Sequence, residues 1–301
     1  MNWKNLRWQN KIMSTTQESK EKRSIALTSV LAAIFLTGFK LVIGLITGSL
    51  GILSEALHSA LDLVAAAITF FAVRHSDKPA DEDHNYGHGK IENYSALIET
   101  LLLVITCIWI IYEAVHRLTT GKMVIDVTVW SFIVIVTSII VDISRSRALY
   151  RVAKKHDSQA LEADALHFST DIWSSSVVLI GLIGAAFHFY YADPIAALIV
   201  AMIVLTVSYR LGKRSFNALV DRAPFGLNEK IYEIVGEIPE VKNFHDIKVR
   251  ESGPYKFVDL NIHVEKNLTI DQAHEISHKV EEAITKKIKN VKVMVHTEPE
   301  S

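Results

Sequence analysis

Two pairs of side chains, each four residues apart, carry the strongest chemical signal in the sequence. His58 and Asp62 occur in Ser54-Glu55-Ala56-Leu57-His58-Ser59-Ala60-Leu61-Asp62, and His167 and Asp171 occur in Leu166-His167-Phe168-Ser169-Thr170-Asp171. On a helix, positions i and i+4 share a face, so each segment presents one imidazole and one carboxylate to the same point. Two such helices facing each other would assemble four ligands. A set of two nitrogens and two oxygens at about 2.0–2.2 Å suits tetrahedral Zn2+, whereas Mg2+ and Ca2+ favour oxygen ligands and water.

A single buried His–Asp pair is often only a hydrogen-bonded crosslink between helices. Two identical pairs in separate apolar segments are harder to explain that way, because an ionisable residue deep in a membrane costs roughly 2.5–3.5 kcal/mol and normally faces a pathway or a partner. Charge counting suggests a mechanism. Two carboxylates and two neutral imidazoles around Zn2+ sum to zero, so a loaded site leaves no net charge stranded in a low-dielectric interior. The empty site carries two negative charges that protons can relieve, so protonation and metal occupancy compete for the same four side chains.

The elements that must position these residues are apolar and long. Of 301 residues, 50% are hydrophobic and 22% charged. Stretches near 24–48, 51–75, 91–116, 124–143, 160–190 and 193–216 each approach the roughly 20 apolar residues needed to cross a bilayer. The expected fold class is an α-helical membrane protein of six transmembrane helices over 24–222, after a polar segment 1–23 that does not look like a secretory signal. Ala65–Ala67 and Ser174–Ser176 are small enough for close helix approach. The N-terminal segment, the 2–3 and 4–5 connections and the stretch after span six hold eighteen Lys and Arg. The opposite connections hold only Arg117 and Lys122. By the positive-inside rule, both termini are expected in the cytoplasm.

Residues 223–301 change character, with 11 Lys+Arg and 14 Asp+Glu after Arg222. A helical period from Leu227 stops near Pro239, Asp246–Arg250 and Phe257–Val264 alternate like half-buried strands, a helix starts at a Thr269 cap, and Val291–Val295 forms a third strand. The expected order is αββαβ. A net charge of −1 argues against a nucleic-acid partner. The lone Cys107 excludes a disulfide framework or thiolate zinc cluster. No G-x-x-x-x-G-K-S/T motif signals nucleotide use.

The paired His-x-x-x-Asp motifs, the Gly48–Ala56 lead-in, the Asp83-His84-Asn85-Tyr86-Gly87-His88-Gly89-Lys90 loop and the αββαβ tail together resemble the cation diffusion facilitator family. The resemblance covers nearly everything after residue 24. It implies a homodimeric divalent-cation/proton antiporter exporting Zn2+ from the cytoplasm, with a copper-chaperone-like cytoplasmic domain and His58, Asp62, His167 and Asp171 at the transport site. Some bacterial relatives carry Asp where this chain has His58 and accept cadmium and iron. The imidazole therefore resembles the zinc-preferring branch, without excluding Cd2+, Co2+ or Fe2+.

The resemblance also places a second zinc site on Asp81, His84 and His88, where the residues alone would equally suit a solvated acidic loop. It puts Lys90 and Asp221 at positions where relatives form ion pairs locking the dimer. In the cytoplasmic domain it maps zinc ligands onto His245, Asn261, His274, His296 and Glu298. Asn261 is a poor zinc ligand, but His263, two residues on, shares its strand face. Either the site is reduced or His263 takes over. Glu55, Glu99 and Glu162 receive no role. A non-transporting membrane sensor or scaffold stays open, and an enzyme is disfavoured because all four intramembrane ligands are spent on the metal. The absence of a His-rich insertion between spans four and five resembles bacterial plasma-membrane relatives.

Overall fold

A computed structural model describes residues 3–48, 50–120, 129–186 and 192–300. Ser49, Lys122, His188, the expected start of the fourth span at 124–128 and the expected end of the fifth at 187–190 lie outside them. Six long helices come first: α1 (Trp3–Thr47), α2 (Leu50–Ser76), α3 (Lys90–Thr120), α4 (Val129–His156), α5 (Gln159–Ala186) and α6 (Ala192–Leu219). The polar segment expected to precede the first span is helical from Trp3 onward. Residues 3–23 contain neither Gly nor Pro, so nothing in the sequence interrupts the helix.

Among the described residues, Gln17–Thr47, Glu55–Ser76 and Lys90–Thr120 are long and apolar enough to cross a membrane. Each of α4, α5 and α6 has 28 residues, about 42 Å of helix. Large apolar side chains such as Leu31, Ile34 and Phe35 on α1 and Leu101, Ile105 and Ile108 on α3 face outward. Such a face requires lipid, since water would oppose it. Inside, Ala26 and Ala33 of α1, Ala66 of α2, Ala153 of α4 and Ala165 of α5 surround Leu149, Leu161 and Phe168. Small residues let the backbones approach closely and replace the hydrophobic drive that lipid cannot supply. A Cβ on Gly212 of α6 would stand 2.8 Å from Thr100 Cγ2 on α3, so this pair is equally tight.

The cytoplasm-facing end expected from the sequence is tied by charge. Lys22, counted above among the orienting basic residues, is buried. Its Nζ donates to Asp77 Oδ1 at 2.6 Å and Glu92 Oε1 at 3.0 Å. Ser76 and Ser158 also donate to Glu92, joining α1, α2, α3 and the α4–α5 turn.

The C-terminal domain follows the expected αββαβ order: α7 (Leu227–Gly236), β1 (Asn243–Ser252), β2 (Tyr255–Val264), α8 (Ile270–Lys287) and β3 (Val291–Pro299). The sheet order is β1-β2-β3, with β1 and β2 antiparallel and β2 and β3 parallel, joined across the sheet by α8. The Thr269 cap forms a full capping box with Gln272. Ile231 and Ile234 of α7, Val258, Leu260 and Ile262 of β2, and Val280 and Ile284 of α8 make its core. A bulge in β1 sets two residues, Asp246 at φ 54° and Ile247, against one on β2. Because a one-residue slip reverses side-chain direction, His245 is turned away from the face to which Val249 points.

This domain docks on the helices through the β1–β2 turn. The Gly253 N–H donates to Asn93 Oδ1 at 2.8 Å. Gly253, at φ 57°, abuts Gly89, where any Cβ would collide with the Ser252 carbonyl.

Candidate metal centre

The intramembrane candidates come together where α2 meets α5. Helical spacing sets His58 beside Asp62, 4.0 Å from Nε2 to Oδ1, and His167 beside Asp171, 3.7 Å from Nε2 to Oδ2. Across the helix pair, His167 Nε2 lies 3.1 Å from Asp62 Oδ1, and His58 Nε2 lies 3.7 Å from Asp171 Oδ1. Ligands bound to a tetrahedral ion at about 2.0–2.1 Å stand about 3.3–3.4 Å from one another. His58, Asp62 and Asp171 each offer a ligand atom within 4.8 Å of the other two, and His167 stands outside that triad while meeting the carboxylates of Asp62 and Asp171. Asp62, His167 and Asp171 are buried and His58 is half-buried. Asp171 Oδ2 and His167 Nδ1 are buried without hydrogen-bond partners. A carboxylate oxygen left so is costly unless a cation or proton joins it.

The α2–α3 loop brings Asp81, His84 and His88 together. Asp81 Oδ1 accepts from the His84 backbone N–H at 2.7 Å and stands 3.2 Å from His84 Nδ1, while Oδ2 is 3.3 Å from His88 Nε2. The His84 backbone N–H, and then its ring, hold the Asp81 carboxyl below its ordinary range. Gly87, at φ 78°, donates its N–H back to the His84 carbonyl at 2.9 Å and so closes the turn that aligns the rings.

In the C-terminal domain the strand register decides the grouping. Asn243 and His245 on β1 pair with His263 and Asn261 on β2, which pair in turn with Glu298 and His296 on β3. His245 Nδ1 lies 3.2 Å from His263 Nε2, and Glu298 Oε2 is 3.5 Å from His263 and 4.0 Å from His245. Asn261 donates to Glu298 Oε1 at 3.1 Å, so it orients the carboxylate. Among the described residues His296 pairs only with Glu298, at 3.7 Å, and is exposed. His274 is not brought to this group. It stands on α8 with its ring centroid 4.5 Å from that of His278, because i,i+4 spacing on an exposed helix face pairs the two with each other.

The three acidic residues left without a role are structurally engaged. Glu55 pairs with Lys40 at 3.2 Å, Glu162 with Arg214 at 2.9 Å, and Glu99 accepts from Thr69 and Ser95. Sequence reasoning missed a buried charged group beside the α2–α5 site. Arg145 donates to Asp142 at 3.3 Å and to Ser29 at 3.1 Å, Ser29 donates to Asp164 at 3.1 Å, and the guanidinium stacks 3.5 Å over the Phe168 ring. Its signal was Asp164, a carboxylate one helical turn before His167 in an apolar segment. Lys90 Nζ meets Asp221 Oδ1 at 2.8 Å within the same chain.

Comparison with known proteins matches the chain to two consecutive family models, a cation efflux transmembrane domain over residues 26–220 and a cation efflux protein cytoplasmic domain over residues 226–300. The cation-efflux pump FieF of Cronobacter sakazakii is 31% identical over 279 residues, 91% of each chain. Its namesake in Citrobacter koseri is 30% identical over 292 residues, 95% of each. The solved MamM CTD is 29% identical, covers 25% of this chain and 94% of its own, and superposes with a TM-score of 0.24. With a helical transmembrane domain followed by a small cytoplasmic α/β domain, and with both family models matched in order, this chain belongs to the cation diffusion facilitator family of cation-efflux transporters.

Proposed function

We propose that the chain exports Zn2+ from the cytoplasm of a bacterium in exchange for protons, as a homodimer with six spans and both termini inside. The observation that carries this reading is the interleaving of His58, Asp62, His167 and Asp171, each imidazole lying 3.1–4.0 Å from a carboxylate of both helices. Two anionic and two neutral donors cancel the charge of a divalent ion, and two imidazoles favour a borderline metal over a hard one. Protons compete for the same donors, so a proton gradient can drive release of the ion. Alternating access follows if the α2–α5 contact opens to one side at a time. The loop group and the His245, His263 and Glu298 group supply three donors each, suited to reversible binding.

Zinc uptake into proteoliposomes with an imposed pH gradient tests this. Gradient-dependent flux abolished by both Asp62→Ala and Asp171→Ala is the expected result. Saturable binding without flux would leave a membrane sensor or scaffold. Flux surviving both substitutions would move the site elsewhere, and equal flux of cadmium, iron or cobalt would make the chain a broad-range exporter.

A further inference from the structure

A cavity of about 590 Å3 opens between the end of α6, the α6–α7 connection and the β1–β2 turn. That volume is within the roughly 300–1,000 Å3 of small-molecule sites. Five cations line it: Arg210, Lys213, Arg214, Arg222 and Lys256. Arg214 is engaged by Glu162 at 2.9 Å and Lys256 by Asp157 at 3.6 Å. Glu251, the other acid on the wall, accepts from Gln159 at 3.1 Å. Arg210, Lys213 and Arg222 have no carboxylate partner among the described residues. Gln159 is neutral, so Glu251 keeps its charge, and set against these three cations it leaves an excess of two positive charges on the wall, which calls for an anion.

A second feature fixes what kind. Lys213 also lines an apolar groove of about 790 Å3 between α3 and α6, walled by Leu101, Met202, Leu205 and Phe216. Leu101, Met202 and Phe216 are more than half exposed. Thus a charged cavity at one end of the helices runs into an apolar furrow along them. Beside the junction, Phe225 is fully exposed on the α6–α7 connection, an aromatic at the level where the helices leave the bilayer.

We propose that the cavity and furrow together bind an anionic phospholipid, its phosphate among Arg210, Lys213 and Arg222 and an acyl chain along α3 and α6. Arginine forks match phosphate oxygens in pairs, and basic pockets at the membrane surface between spanning helices take anionic headgroups. A second copy of this chain fits the face less well. A two-fold axis through it would set its unpaired cations against their own copies. The lipid would brace the cytoplasmic domain against α6, because its headgroup contacts both sides of the cavity. The site is separate from the metal-binding residues and does not depend on which metal is carried.

The test is native mass spectrometry of the full-length, detergent-solubilised protein titrated with phosphatidylglycerol or with phosphatidylcholine of the same chains. Phosphatidylglycerol should bind the tighter. The triple variant Arg210→Gln, Lys213→Gln, Arg222→Gln should lose about a hundredfold in its affinity, roughly fivefold per cation. Met202→Trp, which fills the furrow without touching a charge, should weaken the same binding while leaving zinc binding unchanged, which shows that the variant is folded. Equal binding of the two lipids, or an undiminished triple variant, would overturn the proposal. Inorganic phosphate that displaces the lipid at equal concentration would reassign the cavity to a soluble anion. A triple variant altered only in its monomer–dimer balance would reassign the face to a second copy.

Discussion

His167 Nε2 on α5 lies 3.1 Å from Asp62 Oδ1 on α2, closer than either imidazole lies to the carboxylate of its own helix. The four side chains are therefore interleaved across the helix pair, and separating α2 from α5 would split them into two pairs.

Replacing His58, the half-buried member of the proposed ligand set, is expected to change selectivity before competence. In His58→Asp an oxygen takes the place of a nitrogen and a third carboxylate enters, which favours harder ions. Competition flux assays should show the preference for zinc over manganese falling on the order of tenfold, about 1.4 kcal/mol. Unchanged selectivity would remove His58 from the ligand shell.

Asp81 owes its lowered pKa first to the His84 backbone N–H. A carboxyl depressed by folding contributes its stabilisation in full above its unfolded value, near pH 4, and loses it as pH falls through the lower folded value. Between pH 7.5 and 6 Asp81 therefore stays ionised and contributes no pH dependence of its own. In a background lacking the intramembrane carboxylates, Asp81→Asn should weaken zinc binding by the same factor at both pH values. A steeper pH dependence in Asp81→Asn would contradict this account.

The cytoplasmic domain is expected to hold one zinc per protomer through His245, His263 and Glu298. Zinc stoichiometry of the full-length protein should fall by one per protomer in His263→Ala and stay constant in His274→Ala. The reverse pattern would mean that the ligands come from α8.

Arg145 is expected to act on stability. It is 6% exposed and serves Asp142, Ser29 and the Phe168 ring at once. Arg145→Ala leaves buried carboxylates uncompensated and should cost about 3–5 kcal/mol. Thermal unfolding of the solubilised protein should show this as a large drop in Tm, with zinc binding by the cytoplasmic domain preserved. A Tm within a degree of wild type would show that water already compensates the carboxylates.

Much was legible along the chain because it is local. Four-residue spacing sets His58 with Asp62 and His167 with Asp171 whatever the rest of the molecule does, since a helix repeats every 3.6 residues. Apolar length marked six candidate spans, of which Gln17–Thr47, Glu55–Ser76 and Lys90–Thr120 are long and apolar enough to cross a membrane among the described residues, and Thr269 marked the start of α8. What the order of residues could not supply depends on which surfaces meet. Asp164 and Arg145 form a network only because α1, α4 and α5 pack together, bringing Ser29 between side chains far apart in sequence. Lys22, an orienting charge to the reader of a sequence, is buried because three elements converge on Glu92.

The cytoplasmic site shows the division most clearly. The family resemblance mapped zinc ligands onto His245, Asn261, His274, His296 and Glu298, and strand alternation added His263 as the alternative to Asn261. The bulge at Asp246 puts His245 on the face shared by His263 and Asn261, and the parallel pairing of β2 with β3 sets Glu298 opposite His263 and His296 opposite Asn261. Strand register is a relation between chains of atoms brought together by a shared core, and only the tertiary structure decided it.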